Sequence, residues 1–348
     1  MISKSGVAGV LVRLLMDKQL RRTCCSIETP TPSHRRCLIH QSALCYSAGA
    51  EASSSLCAPL QPIMCYAMRY AGSSSKQQDA CPDNRMLSLQ RVVPLQGGLN
   101  FRDLGGYETL DGCRVRWRTV FRSGVMSYLT LSDAGYLQQI GIRVLCDFRT
   151  RDEREREAVR WPGAEVVRLE WDYDPRQVSL RGLRSESDFS PEITRSAIIE
   201  FYRTLPAHFE EQYAGLFAKL AAGDVPLVFG CSAGKDRTGV AAALVLTCLG
   251  VPWEEVVKDF ALTDQVVDLE QAIFQHSTGS LGLSEDQSRL RQMSPEARAP
   301  LLRASPEYLE AAFDQIRRDH GSIDAYLHGR LRVTPERAAS IRAHLLET

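Results

Sequence analysis

The chain has 348 residues, enough to bury a sizeable core as one large domain with an appendage or as two small ones. Its 42 Lys and Arg balance 42 Asp and Glu, which removes any general electrostatic case for nucleic acid or an anionic membrane surface, so anion recognition has to be local. No apolar run reaches the roughly 18 residues of a membrane span; VAAALVLTCLGV, Val240 to Val251, is too short, and a cytoplasmic protein is the expectation.

The first 85 residues differ in composition from the rest. Seven of the 11 cysteines (Cys24, Cys25, Cys37, Cys45, Cys57, Cys65 and Cys81) fall there, beside serine clusters at Ser53 to Ser55 and Ser73 to Ser75, with no helical or strand periodicity. Such a segment reads as a disordered extension. Its excess of Arg and Ser over acids also fits a targeting peptide, and its cysteines a disulfide framework, although their spacing forms no pattern and no signal peptide is clear. Met86 is an alternative start.

From Leu87 the pattern becomes regular. GLNFRDLGGY and GCRVRWRTVFRSG predict short strands separated by Gly-containing turns, and TLSDAGYLQQIGI a helix capped by Thr130 or Ser132. IRVLCDFRT reads as a buried strand, and REREAVRWPG closes that unit. ITRSAIIEFYRTLPAHFEEQYAGLFAKLAA carries apolar residues at helical spacing, and VPLVFG is a continuous apolar strand. The remainder is helical: VPWEEVVKDFAL, SPEYLEAAFDQIRRDHG, SIDAYLHGRL and TPERAASIRAHLLE, with Pro at the first helical position after Ser305 and Thr334. The economical architecture is α/β, a central, mostly parallel sheet flanked by helices, with a helical C-terminal part.

In such a sheet ligands bind beyond the carboxyl ends of the strands, where Cys231 falls. Ser232, Ala233, Gly234, Lys235 and Asp236 separate it from Arg237, and a helix is predicted to start near Thr238. A loop this short before a helix can aim successive backbone amides and the helix dipole at one centre, forming an anion cradle. Arg237 adds a planar fork matched to two phosphate oxygens. The same positive field favours the thiolate of Cys231 and makes it a nucleophile, whereas Cys146 and Cys248, inside apolar runs, read as inert buried thiols.

The segment CSAGKDRTG resembles the signature of the cysteine-dependent tyrosine phosphatase superfamily, and AGKDRTG is similar to its bacterial tyrosine/serine branch with lipid phosphatase activity. NFRDLGGY (Asn100 to Tyr107), FRSG (Phe121 to Gly124), CDFRTRDEREREA (Cys146 to Ala158) and SPEYLEAAFDQIRRDHGSIDAYL also resemble that branch in order and spacing, covering about residues 86–348. The resemblance implies a phosphomonoesterase that needs no metal or cofactor and acts on phosphotyrosine, phosphoserine/threonine proteins or phosphoinositides. It implies Cys231 as nucleophile, Arg237 on the equatorial oxygens, and Asp236 as acid for the leaving group. Thr238 would hydrogen-bond the thiolate, and Lys235 would meet phosphate or a second anionic group. Ser232, Ala233 and Gly234 would line the cradle, with Asn100, Arg102 and Asp103 shaping its floor. Asp236 could instead brace Arg237 or Arg102, Asp172 and Asp174 in EWDYDP are rival acids, Lys235 could be a solvated loop residue, and the 100–103 segment could serve turn chemistry around Gly105 and Gly106.

Gly230 stands where that family normally has a histidine that orders the loop and keeps the thiolate ionised. An unperturbed thiol remains a few per cent ionised near neutral pH, so the loss from ionisation alone is at most about thirtyfold. A weakened enzyme is therefore expected rather than a dead one, and a phosphate-binding pseudophosphatase is the alternative. A rhodanese or arsenate reductase also uses a loop cysteine, but Arg237 followed by Thr and Gly fits a phosphatase better.

Overall fold

Apolar runs with no polar face become strands buried on both sides. The computed structural model describes residues 89–161, 165–173, 190–275 and 290–348; the expectation for the first 85 residues lies outside these. Strands β1 (Arg102–Asp103), β3 (Val120–Ser123), β4 (Val144–Asp147), β5 (Val167–Glu170) and β6 (Leu227–Gly230) form one sheet, and β2 (Arg114–Val115) stands outside it. The spatial order is β1-β3-β6-β4-β5, with β1 antiparallel to β3 and every other pair parallel. The register sets Ser123 and Asp147 on either side of Gly230, so three strand ends meet where β6 runs out.

Strand alternation sorts the core. Phe121, Leu145 and Val228 pack on one face with Leu137 of α1 (Leu131–Ile140), while Val120, Val144, Cys146, Leu227 and Phe229 face the larger cluster on the other. Thr130 caps α1 in a capping box with Asp133, deciding between Thr130 and Ser132. Thr150 and Glu153 form a second box that opens α2 (Arg151–Arg156). The long helical pattern after residue 190 breaks at Phe209 into α3 (Pro191–His208) and α4 (Glu210–Ala221).

Helix α5 (Asp236–Leu249) begins two residues earlier than its sequence suggests and is buried continuously from Thr238 to Leu246, as a helix apolar all round must be. It is followed by α6 (Trp253–Ala261), α7 (Thr263–Val266), α8 (Leu269–Gln275), α9 (Pro295–Leu302), α10 (Pro306–His320), α11 (Ile323–Gly329) and α12 (Pro335–Leu345). Both α9 and α10 pack on α3. The last residues leave the helix as β7 (Leu346–Glu347), which pairs antiparallel with β2. Among the described residues no helix is long and apolar enough to cross a membrane.

Candidate active site

Strand β6 delivers Cys231 to the carboxyl edge of the sheet, and the loop 231–235 wraps back into α5. The loop carbonyls are turned toward the protein. Gly230 O accepts from Phe148 N at 2.8 Å and Ser232 O from Val125 N at 2.8 Å. Asn100 Nδ2 donates to Ala233 O (3.3 Å) and Gly234 O (2.9 Å), and Arg122 Nη2 donates to Gly234 O at 2.8 Å. Gly234 adopts φ +67°, and a Cβ there would lie 2.6 Å from Gly124 N, so glycine is required twice over. The amides of Ser232 to Lys235 donate to no group among the described residues, and α5 has no side-chain cap at its N-terminus. Free amides backed by a helix dipole make an anion cradle.

At the centre, Cys231 is 3% exposed and its Sγ accepts from Thr238 Oγ1 at 3.1 Å. Arg237 is held end-on by Glu153: Nη1 reaches Oε2 at 2.8 Å and Nη2 reaches Oε1 at 2.9 Å. Nη1 also donates to Phe148 O (3.1 Å) and Tyr173 Oη (2.8 Å), and Nη2 approaches Ser232 Oγ at 3.3 Å. Both Nη atoms are thus engaged, while Nε has no partner among the described residues and is left for an oxyanion oxygen. Ser232 Oγ donates to Glu153 Oε1 at 2.5 Å, linking loop and α2. Burial alone would raise the Glu153 carboxyl, but the Arg237 charge and the bonds from Arg237, Ser232 and the Thr150 amide hold it down at about 2.

Asp236, at the first turn of α5, accepts from Tyr202 Oη at 2.7 Å and lies 3.4 Å from Lys235 Nζ. Among the described residues it makes no ion pair with Arg237 or Arg102; the brace on Arg237 is Glu153 instead. Lys235, expected to face an anion or solvent, is buried, with Nζ donating to Leu301 O at 2.5 Å and Arg303 O at 3.3 Å. The rival acid Asp172 pairs with Arg151 and Arg154; hydrogen bonds from Arg151 first, then Arg154, lower its pKa, the wrong direction for an acid at neutral pH. Asp174 lies outside the described residues.

Beneath the loop, Arg122 donates to Asp259 Oδ2 at 2.6 Å and Tyr107 Oη to Asp259 Oδ1 at 3.1 Å. Arg102, fully buried, donates to Asp259 O (2.7 Å) and Thr263 Oγ1 (3.0 Å). Asp103 accepts the amides of Gly105 (2.8 Å) and Arg118 (2.7 Å), and burial pushes its pKa up to about 6 against those bonds. Arg102 and Asp103 therefore stand one layer below the cradle; Asn100 and Arg122 touch it.

Gly230 has a steric reason. A Cβ there would sit 2.7 Å from Ser123 O and 3.3 Å from Ser123 C, both backbone atoms of the neighbouring strand end. The histidine usual in that family has no room here unless that backbone retreats.

Glu153, Tyr173, Tyr202, Arg122 and Asp259 were not read as site residues from sequence. Thr-x-x-Glu at 150–153 was a legible capping box. The others come together only through tertiary packing.

A cysteine, an arginine six residues on and a ring of free amides at a helix N-terminus define an α/β enzyme built to hold a phosphoryl group. The chain belongs to the tyrosine phosphatase family, whose model matches residues 93–347, and it is a protein-tyrosine phosphatase. It is similar to a Cupriavidus necator protein whose name places it among the tyrosine-protein phosphatases, with 31% identity over 254 residues, 71% of this chain and 85% of that protein. A Nostoc commune tyrosine-protein phosphatase is 30% identical over 145 residues, 41% of this chain and 47% of the relative. The triple specificity protein phosphatase PtpB of Mycobacterium tuberculosis is 28% identical over 267 residues, 68% of this chain and 92% of that protein.

Proposed function

We propose that the chain, as a member of the bacterial tyrosine/serine branch, hydrolyses phosphomonoesters through a cysteinyl-phosphate intermediate formed on Cys231. The thiolate attacks phosphorus as the P–O bond to the leaving group breaks, and Asp236 gives its proton to the departing oxygen. The free amides and the unpartnered Nε of Arg237 hold the equatorial oxygens throughout. Water then attacks phosphorus, Asp236 takes its proton, and the S–P bond breaks to return a thiolate steadied by Thr238. The observation that carries this reading is the 3.1 Å contact from Thr238 Oγ1 to Cys231 Sγ inside the cradle.

The preferred substrate is phosphotyrosine in proteins, with phosphoserine, phosphothreonine and phosphoinositides as further substrates; the triple specificity named for the mycobacterial relative supports that breadth. The phosphatase unit is taken as residues 86–348. A phosphopeptide and phosphoinositide panel on protein beginning at Met86, compared with its Cys231→Ser form, tests the assignment: substantial turnover in the serine variant overturns it. The alternative of a weakened phosphate binder rests on Gly230 alone, and absent turnover of para-nitrophenyl phosphate by the unmodified chain would favour it.

A further inference from the structure

Asp236 presents two unequal oxygens. Oδ1 accepts from Tyr202 Oη at 2.7 Å and faces Lys235 Nζ at 3.4 Å, whereas Oδ2 carries no hydrogen bond among the described residues. Neither partner is free to wander. Tyr202 is wholly buried on α3, its ring set against Phe260 at 6.0 Å, Tyr308 at 5.5 Å and Phe201 at 5.9 Å. Lys235 is pinned by the carbonyls of Leu301 and Arg303.

We propose that Tyr202 is a positioning residue for proton transfer: its phenol, with the Lys235 ammonium, occupies Oδ1 of Asp236 and so confines the transferable proton to Oδ2. The inference rests on the reading of Asp236 as the acid. When the leaving P–O bond breaks, the Oδ2–H bond breaks with it and the proton goes to the leaving oxygen. The carboxylate that remains keeps the Tyr202 O–H on Oδ1, and in the second step Oδ2 takes a proton from water. Tyr202 does not lose its own proton, because burial and then the Asp236 charge hold its pKa well above the ordinary phenol value. The other titratable or charged groups here are Tyr308 on α10, which feels Asp236, and Arg122 and Cys231, which act on Tyr202.

A donor to the carboxylate favours its ionised form, so removing it lets the acid keep its proton to higher pH. In Tyr202→Phe the basic limb of the kcat/KM profile should move upward. The misplaced proton should lower kcat on alkyl phosphates about tenfold, while KM and turnover of para-nitrophenyl phosphate stay within about twofold, since a good leaving group needs little protonation. Site-specific 2,3-difluorotyrosine at position 202 keeps the ring and strengthens the donor; it should move the limb downward, a reversal that packing alone would not produce.

The measurement compares the unmodified chain, both Tyr202 forms, Asp236→Asn and the Tyr202→Phe/Asp236→Asn double variant across a leaving-group series. Asp236→Asn should show the leaving-group sensitivity, and Tyr202→Phe should add nothing in its background. Equal losses on all leaving groups in Tyr202→Phe, or a limb that neither Tyr202 form moves, overturns the proposal and leaves Asp236 as the acid. An Asp236→Asn variant without leaving-group sensitivity overturns both.

Discussion

Replacing Gly230 tests the geometry of the strand ends. An added Cβ lies 2.7 Å from Ser123 O, where ordinary contacts begin near 3.4 Å, so the end of β3 must retreat by about 0.7 Å. It cannot do so alone. Gly124 N donates to Leu99 O at 2.7 Å and Val125 N to Ser232 O at 2.8 Å, so displacement of Ser123 pulls on the wall of the phosphate loop. Overpacking of this kind costs about 1–3 kcal/mol. For a domain of this size that corresponds to a fall in Tm of about 2–12 °C for Gly230→Ala, with Gly230→His at least as low. Thermal melts by circular dichroism measure the first effect, and the pH dependence of iodoacetamide inactivation follows Cys231. Gly230→His melting normally with raised activity near neutral pH would refute the steric account and show that the site lacks only an imidazole.

Arg237→Lys should lose most activity, about a hundredfold or more in kcat, because a point charge can satisfy neither Glu153 end-on nor an oxyanion side-on; steady-state kinetics check it. Glu153 links stability to pH. Its folded pKa of about 2 lies below its ordinary 4.5, so the folded state binds fewer protons in that window and the contribution, on the order of 3 kcal/mol, is present above pH 4.5 and lost as pH falls toward 2. Denaturant melts of the unmodified chain and Glu153→Gln should converge as the pH is lowered through that window; a constant gap contradicts the assignment. Removing residues 1–85 should leave hydrolysis unchanged and Tm within about 2 °C, since that segment has no pattern able to join a core; a larger drop on calorimetry contradicts the sequence reading.

The candidate phosphate loop was legible because its geometry is local: strand, turn and helix start are contiguous from Val225 to Leu249. The buried strands were legible for the same reason, VLCD and LVFG being apolar on both faces up to Asp147 at the end of β4. Strand β5 was missed because three of its four residues are exposed, which erases the apolar signal. Helix α9 was missed as well: its PEARAPLL carries Pro300 in the interior and only Ala297 is buried. The burial of Lys235 was not legible because the carbonyls that hold it lie 66 and 68 residues downstream. The site's support is non-local in the same way. Glu153 reaches Arg237 across 84 residues and Asp259 reaches Arg122 across 137, distances over which no spacing rule operates.

The central claim is the covalent intermediate on Cys231. Rapid quenching of the enzyme during turnover of a phosphotyrosine peptide, followed by peptide-level mass spectrometry, measures it directly. The account predicts one phosphoryl group on the peptide bearing Cys231, forming at the rate of leaving-group release and absent in Cys231→Ser, which should still bind inorganic phosphate. Phosphate on a different residue, or turnover that persists in Cys231→Ser, would contradict it.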